Sequence, residues 1–349
     1  MGNNKPHKPN ENEYRNNTLM KKSLTLLSLT AGAALAAAIP ARAQIVASEG
    51  FNYSAGTQVL GLGAAGNGWA NVWADKNALD TVVSGSLSYS DGSHILATSG
   101  NSLQSNGAAS PGSASSEPER TLSSTIGATA LANTAMPNTV WMSYLWQGGN
   151  TSANGSLFRQ ASVMFLKGAS TTSTSPGGTE YMDIGMPNIM ATNVSTVNPN
   201  ISLWTSSGIA GQTLTSLAPL QSATAANNGA TDFILIEMTG TATAWGAAGN
   251  SETVNVWIDP TLTQSTPTGS PSISYSGQDL STINALRFQS GGYNATYGTL
   301  PGEETVDEIN IGDTPADVEP LLSPVPEPAS ISLAALGGLT VLALKRKRF

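Results

Sequence analysis

Two groups of carboxyl side chains lie close enough in the chain to do chemistry together. Glu180-Tyr181-Met182-Asp183 holds two acids three residues apart, and Glu303, Glu304, Asp307 and Glu308 form a second cluster. Cleaving a glycosidic bond needs a pair of carboxyls facing the sugar from one surface, one as acid and the other as base or nucleophile. Side chains alternate between the faces of a regular strand, so cooperating acids must be an even number of residues apart. By that rule Glu180 and Asp183 point apart, as do Asp307 and Glu308, whereas Glu304 and Glu308 can share a face. Structural or solvated acids are the better reading, and no catalytic residue is assigned. Serine hydrolysis lacks its parts too. His94, in SDGSHILATSG, is the one histidine after Gln44, and there is no G-x-S-x-G around any serine. With one His and no Cys, a zinc site lacks ligands, and no H-E-x-x-H or phosphate-binding Gly-rich loop is present.

Aromatic rings are the remaining chemical handle. Sugar-binding modules stack flat rings on pyranose faces. Trp69 and Trp73 sit in the Gly/Asn-rich stretch GNGWANVW, and Trp204 and Trp245 lie beside turns. These four are the candidate glycan contacts; the competing reading is that tryptophan packs in a core and that GNGWANVW frames the fold.

The elements that would position these groups are short strands. Thr81–Tyr89, Thr139–Trp146, Ser162–Leu166, Tyr181–Gly185, Asp232–Met238, Glu252–Ile258, Ile283–Gln289 and Thr305–Ile311 are rich in β-branched and aromatic residues. Val254, Val256 and Ile258 alternate with Asn255 and Trp257, which predicts a half-solvated sheet. Residues 99–119, 168–179 and 222–231 are small and polar and read as loops. The absence of cysteine excludes disulfides and thiolate metal sites. Only 11% of residues are charged, but 40% are hydrophobic, enough for a core. One β-sandwich over residues 44–318 fits this pattern. Two smaller sandwiches are the alternative, but no linker separates two complete strand sets.

Charge is segregated. Ten of the 15 cations lie in the two ends, leaving Lys76, Arg120, Arg159, Lys167 and Arg287 between Gln44 and Val325 against 20 acids. So acidic a body repels phosphate backbones and excludes nucleic acid as a partner.

Both ends look like addresses. Lys21 and Lys22, the apolar run Leu24–Ile39 and Ala41-Arg42-Ala43 before Gln44 make the three parts of a secretory signal over residues 20–43. Ala41, Ala43 and Gln44 define the expected signal-peptidase site, which implies a Sec-type export route. Residues 1–19 are polar and shapeless, and Met20 is the expected true start. At the other end, a Pro-rich linker over residues 319–328 contains Val325-Pro326-Glu327-Pro328, in which the prolines enforce extended backbone. Residues 329–344 follow as an apolar run of roughly 24 Å if helical, short of a hydrocarbon core of about 30 Å. Lys345, Arg346, Lys347 and Arg348 can snorkel to cover the deficit and hold residues 345–349 in the cytoplasm. This order resembles the PEP-CTERM sorting signal of Gram-negative bacteria. The resemblance implies one transmembrane helix and transient anchoring in the inner membrane. It further implies recognition of Pro326, Glu327 and Pro328 by an exosortase, then delivery to the cell surface or extracellular matrix.

Within the body, SEGFNYSAGTQVLGLGAAGNGWANVW, VNVWIDPTL, INALRFQSGG and VDEINIGDTPADV occur in that order. Together they resemble concanavalin A-like lectin/glucanase (laminin G-like) jelly rolls. That resemblance implies an all-β jelly-roll sandwich in which Glu49–Tyr53 lies beside Thr305–Ile311. It also implies that Asp307, with carbonyls of the first strand, could hold a structural Ca²⁺; the alternative is that Asp307 bonds neighbouring amides. The glucanases of this superfamily carry E-x-D-x-x-E on one strand, which this chain lacks. The expectation is therefore an exported, non-catalytic binding or structural protein that contacts polysaccharide. A hydrolase on the same fold and a matrix protein without a ligand are the alternatives.

Overall fold

The computed structural model describes residues 45–322, apart from 76–79, 107–115, 134–135, 137, 150–159, 170–178, 187–199, 206–212, 220–229, 241–251 and 292–302. All described residues belong to one compact unit, Gln44–Phe349. The residues of the expected signal-peptidase site, Ala41, Ala43 and Gln44, lie outside the described residues. So do the expected sorting motif Val325–Pro328, the apolar run 329–344 and Lys345–Arg348. Among the described residues no helix is long and apolar enough to cross a membrane.

In chain order the strands are β1 (Ile45–Glu49), β2 (Ala74–Asp75), β3 (Thr81–Val83), β4 (Ser102–Asn106), β5 (Pro118–Thr121), β6 (Thr139–Gly149), β7 (Gln160–Lys167) and β8 (Thr179–Met186). They continue with β9 (Asn200–Thr205), β10 (Thr213–Pro219), β11 (Asp232–Thr239), β12 (Glu252–Ile258), β13 (Ile273–Gln278), β14 (Ile283–Gly291) and β15 (Glu303–Gly312). Two short helices interrupt them, α1 (Ile126–Ala132) and α2 (Pro315–Val318). Thr125 caps α1 by accepting the Ala128 amide, one of the donors a helix start leaves free.

The strands form an antiparallel sandwich. One sheet runs β13-β12-β11-β6-β15-β4-β3, and the other runs β10-β9-β8-β7-β14-β5-β2. In the first, β15 is shared along one edge. Its first half pairs with β4 and its second half with β1, placing Glu49 opposite Ile309 and Ile45 opposite Gly312. The expected pairing of the first and last strands is therefore present, although β1 ends at Glu49 and Gly50–Tyr53 leave the sheet.

The core lies between the sheets. Val140, Met142, Tyr144 and Trp146 of β6 face Val163, Phe165, Leu286 and Phe288 of the opposite sheet in one buried cluster. Each large apolar side chain buried this way contributes roughly 1.5–3 kcal/mol. The outer face of the first sheet is also covered. Trp141, Leu145, Phe233, Leu235 and Trp257 pack there against Leu96, Leu262 and Val318, and the Trp141 and Trp257 rings stack 5.9 Å apart. This corrects the half-solvated sheet read from the alternation in β12, because the loop before Leu96, the turn at Leu262 and α2 shield its second face.

Two further expectations change. The predicted strand Thr81–Tyr89 stops at Val83, because Gly85 takes a left-handed φ of 95° and the chain turns out of the ladder. Residues 99–119, read as a loop, contain β4 and the start of β5. Leu103 is the one core residue of β4, so its polar sequence carries no period to detect, and its pairing to β15 and β3 creates the strand.

Candidate functional site

Trp69 and Trp73 are not presented to a sugar. They are 2% and 0% exposed, inside the core. Gly68 lets the loop fold inward: it takes φ +83°, and a Cβ there would come within 2.0 Å of the Val46 carbonyl oxygen. Trp69 Nε1 then donates to the Ser48 carbonyl at 2.8 Å, and Trp73 Nε1 donates to Glu49 Oε2 at 3.1 Å. Arg120 lies over both rings, 4.7 and 5.6 Å from their centroids, and pairs with the same Glu49 carboxylate. Tyr53 Oη also donates to that carboxylate, at 2.8 Å. Burial and the Glu49 charge push the Tyr53 hydroxyl up to about 12, and burial holds the Arg120 guanidinium below its ordinary value despite Glu49. The GNGWANVW segment is thus a structural plug sealed by an internal ion pair. Trp73→Ala is expected to lower stability by about 3–5 kcal/mol in chemical denaturation; a change below about 1 kcal/mol would contradict this packing role. Trp204 lies in β9, opposite Asp183 and Leu214, and its side chain and Trp245 lie outside the described residues.

The acids are dispersed by two irregularities that sequence spacing does not reveal. A bulge in β15 sets Asp307 opposite Leu145 and Asn310 opposite Ser143, and Glu308 absorbs the extra residue with φ 47°. Asp307 Oδ2 accepts from Ser86 Oγ at 2.5 Å and from the Leu87 amide at 2.8 Å, while Oδ1 accepts from the Glu308 amide at 2.8 Å. These are the neighbouring-group bonds weighed against a Ca²⁺ role. Among the described residues no three His, Asp or Glu side chains converge in a metal-holding group. Glu308 accepts the Ser99 amide, whereas Glu304 is wholly buried and accepts from Trp146 Nε1 at 2.8 Å. The two therefore have separate surroundings. His94 lies in an exposed turn, 3.3 Å from Asp91, and among the described residues no serine lies in hydrogen-bond reach of its ring.

The second bulge, in β8, places Met182 opposite Phe165 but Glu180 opposite Leu166. Tyr181 is the extra residue. Glu180 and Asp183 thus fall in register with Leu166 and Met164, alternate residues of β7.

That register lies on the outer face of the second sheet, where several polar groups meet. Val163, Phe165, Met182, Ile184, Leu286 and Phe288 point into the core. Their neighbours therefore face outward, including Met164, Leu166 and Ala285, which form a small cluster of their own with Ala169. One rung crosses six strands: Glu119, Arg287, Met164, Asp183, Trp204 and Leu214. Arg287 Nη2 donates to Glu119 Oε2 at 2.9 Å, and its Nη1 lies 3.9 Å from Glu117. On the next rung Gln289 faces Ser162, whose buried Oγ has no hydrogen-bond partner. Such an orphaned buried hydroxyl is uncommon in a protein interior. Reading the sequence locally missed this set, because its members span residues 117–289.

No protein-family model matches the chain, and no curated protein matches it. Among solved structures it is similar to the carbohydrate esterase of Shiga toxin-encoding bacteriophage phi24B (11% identity, TM-score 0.38, covering 77% of this chain and 98% of that one). It is similar to an alginate lyase solved with an alginate tetrasaccharide (10% identity, TM-score 0.36, 77% and 97%). A third is the botulinum neurotoxin serotype C1 binding domain (11% identity, TM-score 0.35, 64% of this chain), of which the match spans 41%.

Proposed function

We propose that the chain is an exported carbohydrate-binding protein without catalytic activity, built on a concanavalin A-like jelly roll. In this reading a signal peptide directs it through the Sec route. Its PEP-CTERM tail passes it to an exosortase at the inner membrane and on to the cell surface or extracellular matrix. The observation that carries the binding role is the outer face of the second sheet, where Glu119, Arg287 and Asp183 share a rung and Ser162 has an unmet hydroxyl beside it. Met164, Leu166 and Ala285 lie buried beneath this face, and Arg287 and Gln289 are its half-buried polar members, the kind of group that fixes a sugar's orientation. The test is a glycan array with the secreted protein. Discrete hits that weaken about tenfold in Trp204→Ala, with the melting temperature unchanged, are expected. Silence across neutral and charged polysaccharides would remove the binding role. Sequencing both termini of the mature product checks the routing, which predicts a start at Gln44 and an end near Glu327; an intact chain in the cytosol would overturn it.

The β8 bulge favours one rival, a polysaccharide-active enzyme using Glu180 and Asp183 in phase. That reading requires release of new sugar ends from a bound polymer, abolished in Asp183→Asn.

A further inference from the structure

We infer that Lys167 and Asp279 join in the folded protein as an intramolecular amide that clasps one sheet of the sandwich to the other. The chain has no cysteine, so no disulfide can do this. In the second sheet β7 ends at Lys167, and in the first sheet the edge strand β13 ends at Gln278. Asp279 is therefore the first residue of the turn that carries the chain across to β14 of the second sheet. Lys167 Nζ donates to the Asp279 carbonyl and lies 3.6 Å from Asp279 Oδ2. Both groups are held in place. The Tyr181 ring covers the amine, its centre 3.5 Å from Nζ, and Tyr181 Oη accepts the Asp279 amide at 2.9 Å. The next residue, Leu280, is wholly buried and donates its own amide to the buried Glu252 at 2.8 Å.

The carboxyl is arranged for attack. Asp279 Oδ1 accepts the Ser281 hydroxyl at 2.5 Å and the Ser281 amide at 3.0 Å, which leaves Oδ2 in reach of the amine. In the reaction the Lys167 ammonium gives a proton to Oδ2, and the neutral amine adds to Cγ through its lone pair. Negative charge develops on Oδ1, where the two Ser281 donors meet it as an oxyanion hole does. A second proton passes from the nitrogen to Oδ2, the Cγ–Oδ2 bond breaks, and one water leaves. Ammonium and carboxylate thus become amide and water, and no oxidant or activating group is consumed. Burial lowers the Lys167 pKa against the opposing pull of Asp279 and Glu252, which brings the neutral amine within reach. Free in water, the two groups would stay an ion pair. Held in contact, they react as though each were present at roughly 10⁵–10⁸ M. The Asp279 side chain is about half exposed, which gives the released water an exit.

Trypsin digestion of the folded wild-type chain, expressed in full, tests this by mass spectrometry. No Lys or Arg lies between Arg159 and Lys167 or between Lys167 and Arg287, so a free Lys167 side chain releases residues 160–167. Amide formation blocks that cut. Residues 160–287 are then expected as one peptide, lighter by one water, with fragmentation placing the loss between Lys167 and Asp279. Release of residues 160–167 at full mass would overturn the inference. So would a lost water with Lys167 still cleavable, which marks ring closure at Asp279 alone. Lys167→Arg keeps the ion pair but removes the amine nucleophile. The cross-linked residues are 112 apart in the chain, so this variant should melt about 10 °C lower than wild type. A drop below about 2 °C, the scale of a partly exposed ion pair, would contradict the clasp. Ser281→Ala should slow the appearance of the uncleaved peptide in newly made protein by about a hundredfold. An unchanged rate would contradict the role given to the Ser281 hydroxyl.

Discussion

Thermal unfolding of the body is expected to occur at its highest temperature near pH 4–5 and to fall steadily as the pH is raised through 8. Four buried carboxyls set this direction. Burial, reinforced by Asp75, pushes Asp80 up to about 8 against the opposing hydrogen bond from Ser116. Burial holds Glu304 well above its ordinary value, with Asp80 adding to the effect and the Trp146 indole opposing it. Burial likewise raises Asp307 and Glu319 to about 7 each. A carboxyl whose folded pKa exceeds its unfolded value of about 4 stays protonated in the native state while the unfolded chain ionises. The unfolded state then binds fewer protons, so stability falls with rising pH across the interval between the two values and levels off above the folded one. For Asp80 alone the full interval is on the order of 5 kcal/mol. Self-repulsion among 20 body acids works in the same direction. Calorimetry at pH 5, 6.5 and 8 measures the effect. Asp80→Asn, which keeps a neutral side chain at every pH, should remove the largest share of the slope, and Glu304→Gln a further part. A melting temperature that is flat or rising from pH 5 to 8 would contradict the protonated interior.

The second large effect concerns the ion pair behind the tryptophan plug. Arg120→Ala should destabilise the body by about 3–5 kcal/mol, because it leaves the Glu49 carboxylate buried with only the Tyr53, Trp73 and Phe51 donors. It also removes the cation from above the Trp69 and Trp73 rings, and with it part of their packing. Glu49→Ala should cost a similar amount. Replacing both partners together with apolar residues should cost much less than the sum, because the penalty comes chiefly from the stranded charge. Urea denaturation of the four proteins closes the cycle; additive losses would show that Glu49 and Arg120 do not act as a pair.

How far the sequence discloses this molecule depends on how local each feature is. The strand Glu252–Ile258 was read to the residue, since alternating valines bounded by turn formers fix both its type and its ends. The polar β4 carries no such pattern and owes its conformation to β15, some two hundred residues away in the chain. The spacing of the acids is legible only where the strands are regular. Counting residues assumes an unbroken ladder, and the bulges at Tyr181 and Glu308 reset the count where the acids lie. GNGWANVW admits two readings, a loop that offers its rings to a sugar and a framing element packed in the core; Gly68 is what allows the second, letting the segment fold inward onto Glu49 and Arg120. Nothing near residue 119 or residue 287 announces that they will meet on one sheet face.

The pairing of β1 and β4 with β15 has a consequence for the order of events during synthesis. A central strand, β6, cannot acquire its second neighbour until Glu303–Gly312 has left the ribosome, so the ladder stays open until nearly all of the body is made. A chain that cannot shut early remains a pliable thread until its synthesis is nearly complete, which is the state the export route proposed above requires.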